Sequence, residues 1–307
     1  MKTKFFQVFF IVSFLVSFIF FCFRFLDKKN PILAFDYKSP LYDQKEAFDP
    51  SLTRLNTVNK LKDYCDSLFM ITYGQTTAAN CETGYTNIVG SVIRKRFYWG
   101  YSSYSFNDNY LAVIFSKLTH WGYASPVVPD DILKYPYGAC SQQSIVMMEV
   151  LKRKGFSTRK VEFMGDNKIG HFAFEVYYNN NWHFHDPTLE PDTAILNKYD
   201  RPSIEFIAKN PHILLAAYKQ TDKKDANFFL DVFSNYSYGK PDVFSAPNAL
   251  LLHNVTKFLS GTAWIFFLLA YILVRWYRKK PAFLKFIAKS YKKEIALNYP
   301  SSSESTA

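Results

Sequence analysis

Three short strings carry the residue types of thiol chemistry: Gly138-Ala139-Cys140-Ser141-Gln142-Gln143-Ser144, Ile169-Gly170-His171-Phe172-Ala173-Phe174-Glu175-Val176 and Trp182-His183-Phe184-His185-Asp186-Pro187-Thr188. His171 follows Cys140 by 31 residues, and Asp186 lies 15 further on. A free thiol, with a pKa of about 8.5, is mostly protonated at neutral pH and then a poor nucleophile. At a helix N-terminus the free backbone N–H groups and the positive dipole end favour its thiolate. An imidazole in reach can take the proton and hold the thiolate as an ion pair. A carboxylate on the other ring nitrogen fixes the tautomer and the ring's orientation. Taken singly, Cys140 reads as a buried thiol, His171 as a strand-end residue and Asp186 as a turn former. Together they predict acyl transfer by cysteine.

Positioning those groups needs one helix and two strands, and the local signals supply them. Tyr135-Pro136-Tyr137-Gly138 reads as a turn. A helix follows from Cys140, burying Ile145, Met148 and Leu151, with basic Lys152, Arg153 and Lys154 in its last turn and Gly155 beyond. Strands are expected over 158–163, 171–178 and 182–186, joined by turns at Gly165-Asp166-Asn167 and Asn179-Asn180-Asn181. Counting back from the second turn puts Asp186 opposite Phe174 or Glu175, so twist, a bulge or a diagonal reach must bring it to His171. Helices first and an antiparallel sheet afterwards indicate an α+β domain.

Upstream, a helix is expected from Asp49-Pro50-Ser51, with Leu52, Leu55, Val58, Leu61, Cys65 and Leu68 on one face. Further core helices are expected over 86–97 and after Asn107. Between them, residues 97–106 hold six aromatics, which form either a packed loop or a cleft wall. Beyond Thr188, Pro191, Pro202, Pro211 and Pro241 interrupt the chain, and 204–208 and 212–218 read as short helices. Cys65 and Cys81 are 16 apart and could pair in an oxidising compartment or remain two buried thiols. Cys22 reads as apolar filler.

Residues 5–23 carry no charge and approach the length that spans a bilayer; residues 258–274 form a similar run. The net charge of +11 suggests nucleic acid until it is apportioned. Residues 275–293 hold eight basic side chains and no acid, whereas 28–257 hold 26 basic against 23 acidic residues. The basicity is therefore a tail beside a span, and the positive-inside rule makes that tail cytoplasmic. No small-x-small cleavage site follows the first run, which reads as an uncleaved anchor. The expected organisation is an anchor (1–26), a tether (27–50), an extracytoplasmic domain (51–256, periplasmic in a bacterium), a second span (257–277) and a basic tail (278–307). Both termini are then cytoplasmic. Phe283, Phe286, Ile287 and Tyr291 among the tail's lysines predict adhesion to anionic membrane lipids, with no nucleic-acid partner.

The three strings resemble the core of the transglutaminase-like superfamily, which has the papain-like cysteine-hydrolase fold; the resemblance covers roughly residues 85–190. It implies Cys140 as nucleophile, His171 as base and later acid, and Asp186 as orienting carboxylate. It also implies a polar or aromatic side chain that joins the Cys140 N–H in an oxyanion hole, for which Trp99, Tyr110 and Trp121 are candidates. His183 and His185 flank Phe184 but lack the spacing of a zinc site, so neither a metal nor a cofactor is assigned. The expectation is a membrane-anchored cysteine protease or amidase acting on a protein or peptide, with hydrolysis favoured over cross-linking. The alternative is an inactive module that organises an envelope or glycan-assembly complex. Nothing in the sequence bears on oligomeric state.

Overall fold

The structure is a computed structural model that describes residues 2–26, 48–74, 81–119, 122–165, 170–218 and 226–279. Most of the expected tether, the turn at 166–167, Trp121 and nearly all of the basic tail lie outside the described residues. The chain divides into two units, Met1–Asp27 with Thr256–Ala307, and Lys28–Val255.

In the first unit, α1 (Lys2–Leu26) meets residues of the long helix α11 (Pro247–Lys279), with the Phe18 and Phe21 rings 5.5 and 5.4 Å from Trp264. Both helices are long and apolar enough to cross a membrane. The second apolar run therefore belongs to a longer helix than its composition marked out, beginning at Pro247 rather than near 257.

The second unit is mixed α+β. Its larger sheet is antiparallel, with strand order β5-β4-β3-β6 for β3 (Ser157–Met164), β4 (Gly170–Tyr178), β5 (Asn181–His185) and β6 (Tyr236–Tyr238). Alternation along β4 sends Phe174, Val176 and Tyr178 to one face, where they join the core of α2 (Val58–Tyr73), α3 (Glu82–Arg96) and α6 (Cys140–Arg153). Ala173, with Val161, Phe163 and Phe184, faces a second core built on α7 (Thr193–Asn197), α8 (Ile204–Lys209), α9 (Pro211–Tyr218) and α10 (Ala226–Ser234). A side chain from each strand ties the sheet together. The Arg159 guanidinium on β3 pairs with buried Glu175 on β4, at 2.7 Å from Nε, and lies over Trp182 of β5 and Tyr238 of β6. Glu175 also accepts the Ile204 N–H at 2.7 Å, docking the start of α8.

The predicted helix from Asp49 is broken. Pro50–Arg54 forms a 3-10 turn capped by Asp49, and α2 starts afresh with Thr57 accepting the Lys60 N–H. The Val58 N–H is taken by Asp130 Oδ1 at 2.8 Å, so a tertiary contact stands where an intrahelical bond would have run. α3 starts at Glu82, earlier than expected, and α4 (Phe106–Thr119) is kinked at Asn109. Cys65 and Cys81 are both free thiols. Burial, followed by the charge of Asp66, pushes the Cys65 thiol up to about 12.

The short parallel sheet β1 (Tyr98–Trp99) and β2 (Tyr137–Gly138) delivers the chain to the start of α6. Fully buried Arg96 anchors this approach by donating to four carbonyl oxygens, of Thr53, Leu55, Leu133 and Tyr135. Among the described residues it has no carboxylate partner. Replacing it strands both the carbonyls and the path into β2. Arg96→Leu is expected to destabilise the domain by about 3 kcal/mol, read as a lowered unfolding midpoint.

Candidate active site

Cys140 is the first residue of α6, after the extended Ala139. The N–H groups of Cys140 and Ser141 thus belong to the first turn, whose donors have no intrahelical acceptor. Two glutamines lock that turn. Gln143 Nε2 donates to Gly138 O at 2.8 Å. Buried Gln142 accepts the N–H groups of Ala139 and Ser102 on Oε1, at 3.1 and 3.2 Å, and its amide N–H groups reach Ser102 O, Ser125 Oγ and Pro126 O. One side chain therefore holds the helix start against two separate loops.

His171 is the second residue of β4, and its ring lies against Phe163 and Phe233. The hairpin from β4 to β5 turns through Asn179 and Asn180 alone, both with left-handed φ (47° and 62°). A two-residue turn of this kind fits the twist of the strands. The register is Tyr178↔Asn181 and Phe174↔His185, and continuing it sets Asp186 opposite Ala173, one place short of the count from a three-residue turn. Ala173 and His171 share a face, so the carboxylate reaches His171 diagonally without a bulge. The result is a 2.8 Å contact between Asp186 Oδ2 and His171 Nε2. Nδ1 is then the ring nitrogen left to face Cys140, which lines the same cleft as His171.

Asp186 is almost fully buried, and both its oxygens are doubly engaged. Oδ2 accepts from His171 and from the Tyr218 hydroxyl at 2.9 Å, and Oδ1 accepts the N–H groups of Thr188 and Leu189 at 3.2 and 3.1 Å. Burial alone would raise this carboxyl, but the charge and hydrogen bond of His171, the Leu189 N–H and Tyr218 bring it below its ordinary value. Burial likewise pulls His171 down, but the Asp186 charge and hydrogen bond and the Cys140 contact outweigh it and lift the imidazole to about 10. The Asp186 carboxylate thus favours the charged form of the His171 ring.

A cleft of about 540 Å³ opens on Cys140 and His171. Part of its lining comes from the α6 face of the sheet, where register places Ser237, Glu162 and Phe172 in one row and Asn235, Met164 and Gly170 in the next. Tyr101 forms part of the wall, and burial together with the nearby Cys140 raises its phenol, keeping it a donor. Neither Trp99 nor Tyr110 lines the cleft. Trp99 is half exposed with its ring edge against Tyr101, and Tyr110 is buried in α4. The aromatic stretch is thus both things it could be: Phe97, Tyr98 and Tyr104 are core, while Tyr101 faces the cleft.

The paired histidines serve the fold. His183 stacks on Tyr178 at 3.6 Å, with its ring nitrogens at the carbonyls of Tyr178, Asp200 and Arg201. His185 is held well below its ordinary value by burial and by the charges of Arg201 and His183, and its ring stacks on Phe174. Among the described residues, no group of three or more His, Cys, Asp or Glu is placed to hold a metal ion. The chain matches no protein-family model, no curated protein and no solved structure.

Two outcomes follow from the buried pair. The raised His171 contributes stability that is full below the ordinary imidazole value of about 6.5 and is lost as pH rises through about 10. The depressed Asp186 contributes above about 3.9 and loses it as pH falls through its lowered value. Thermal unfolding of the full chain in detergent should therefore weaken from pH 6.5 to 10, and His171→Ala should flatten that decline. Tyr218→Phe removes one donor from a buried carboxylate, an expected loss of about 2 kcal/mol. The same unfolding experiment tests it, because a cost near zero would mean the Tyr218 bond is idle.

Proposed function

We propose that the domain is a cysteine acyl-transfer enzyme of transglutaminase-like, papain-like type, acting on amides through Cys140, His171 and Asp186. The observation that carries this reading is the Asp186–His171 Nε2 bond, with that ring and the thiol at the first residue of α6 lining one cleft. In the reading, the Cys140 thiolate attacks the amide carbonyl carbon. The oxyanion is stabilised by the Cys140 N–H, with the Tyr101 phenol the aromatic donor in the cleft. As the tetrahedral species collapses, the imidazolium gives a proton to the leaving amine and a thioester remains. Water then attacks the thioester, His171 takes its proton, and the acid product leaves with the thiolate restored. Hydrolysis of a protein or peptide amide is the favoured outcome, with an amine in place of water as the transfer variant.

Throughout, Asp186 stays ionised and holds the ring so that one nitrogen always faces the sulfur. Two apolar helices and the basic stretch after residue 274 support a two-span chain with the domain outside and both termini in the cytoplasm. The tail's lysines would then rest on anionic lipid.

An electrophilic thiol probe applied to the full chain should label Cys140 ahead of Cys22, Cys65 and Cys81, and Cys140→Ala should abolish that labelling with expression unchanged. Labelling that survives the substitution moves the nucleophile elsewhere, and the alternative of an inactive module is the outcome in which Cys140 never labels selectively. His171→Ala should slow labelling by at least about 100-fold, the lower range for a positioned proton-transfer group, and Asp186→Asn by less. Topology is tested separately in a cysteine-free background. A membrane-impermeant reagent should reach Lys240→Cys in intact cells and miss Lys289→Cys; the reverse pattern overturns the two-span arrangement.

A further inference from the structure

Apart from the Cys140 and His171 pair, the cleft is one-sided in charge. Among its described lining residues Glu162 supplies the one carboxylate, and no lysine or arginine lines it. Glu162 stands on the lining surface between Phe172 and Ser237, half exposed. Lys160, two residues back on the same strand face, binds Oε1 at 2.9 Å, and among the described residues Oε2 has no partner. An exposed pair of this kind holds its members weakly, so the carboxylate stays available to a second cation. Beside it, the Asn235 amide and the Ser237 hydroxyl are exposed cleft side chains with no hydrogen-bond partner among the described residues. The domain as a whole leans the other way, with 26 basic against 23 acidic residues over 28–257. Its overall field therefore favours anions, and a preference for cations at the cleft has to come from this local carboxylate.

We propose that Glu162, with Asn235 and Ser237, forms a subsite for a cationic amine on the substrate, so that the enzyme prefers amides carrying an ammonium or guanidinium group near the bond attacked. The inference rests on Cys140 as the nucleophile. Phe172 and Met164 make the neighbouring surface apolar, which suits the methylene stem of a lysine-like side chain whose charged head reaches Glu162. Peptides with acidic groups at that position are disfavoured by the same carboxylate.

The test uses three methanethiosulfonates that carry a cationic, an uncharged or an anionic group: trimethylammonium, methyl and sulfonate. In each, the Cys140 thiolate attacks the sulfenyl sulfur, a mixed disulfide forms and methanesulfinate leaves. Rates of modification at Cys140 are followed by peptide mass spectrometry on the full chain in detergent. The cationic-to-anionic rate ratio should fall by about fivefold or more in Glu162→Gln, while the uncharged reagent reacts at the wild-type rate and so reports an intact fold. Lys160→Met, which frees Oε1, should raise the ratio. An unchanged ratio in Glu162→Gln with normal uncharged labelling overturns the subsite and leaves the nucleophile standing. Failure of all three reagents to modify Cys140 of the wild type ahead of the other cysteines overturns the nucleophile and the subsite together.

Discussion

A carboxylate taken out of water must find donors for both oxygens, and Asp186 finds four. Much of the second unit can be understood as the supply of those donors. The Asp186-Pro187-Thr188 turn folds back so that its own N–H groups cover Oδ1. α9 is packed on the sheet at the height that lets Tyr218 reach Oδ2. β4 brings His171 to the same atom from the adjacent strand. An uncompensated charge at this depth would cost several kcal/mol, so these elements are fixed with respect to one another. The imidazole ring, held at one nitrogen, then has its other nitrogen aimed by geometry rather than by chance.

Cys140 arrives from the opposite face of the sheet, and its placement depends on different residues. Gln142 and Gln143 lock the first turn of α6, and Arg96 fixes the strand that enters it. The Ser144 hydroxyl touches Phe172 O at 3.4 Å, tying α6 to the strand that carries His171. Two independently braced pieces therefore meet at the end of β4. The cleft forms where the sheet extends past the helix start, and its lining is set by β3 and β6 rather than by the groups that hold the thiol.

What was legible in the sequence is what is local. The helix at Cys140, with its basic last turn and Gly155, stands where the pattern puts it, and so do three of the four strands of the larger sheet. The hairpin register was off by one because two asparagines, not three, adopt left-handed φ, a distinction that composition does not carry. Thr57 caps α2, but the apolar spacing of Leu52, Leu55 and Val58 runs across the break before it. β6 is three residues long and pairs with a strand more than seventy positions earlier, so no short-range pattern announces it. Tyr218 and the cross-loop bonds of Gln142 were invisible for the same reason, since those partners lie 16 to 40 residues away. Tyr101 was hidden among its aromatic neighbours, and only the fold separates the ring that faces the cleft from those that fill the core.

The chemistry proposed for Cys140 requires His171 to be an imidazolium between Asp186 and the Cys140 sulfur. Nitrogen-15 NMR of the full chain labelled at histidine tests it directly, because the ring shifts report how many protons the imidazole holds. The His171 ring should be doubly protonated through neutral pH and titrate near 10, with its resonances altered by Asp186→Asn and identified by their loss in His171→Ala. A His171 ring that titrates near the ordinary value of about 6.5, or one indifferent to Asp186→Asn, would contradict it.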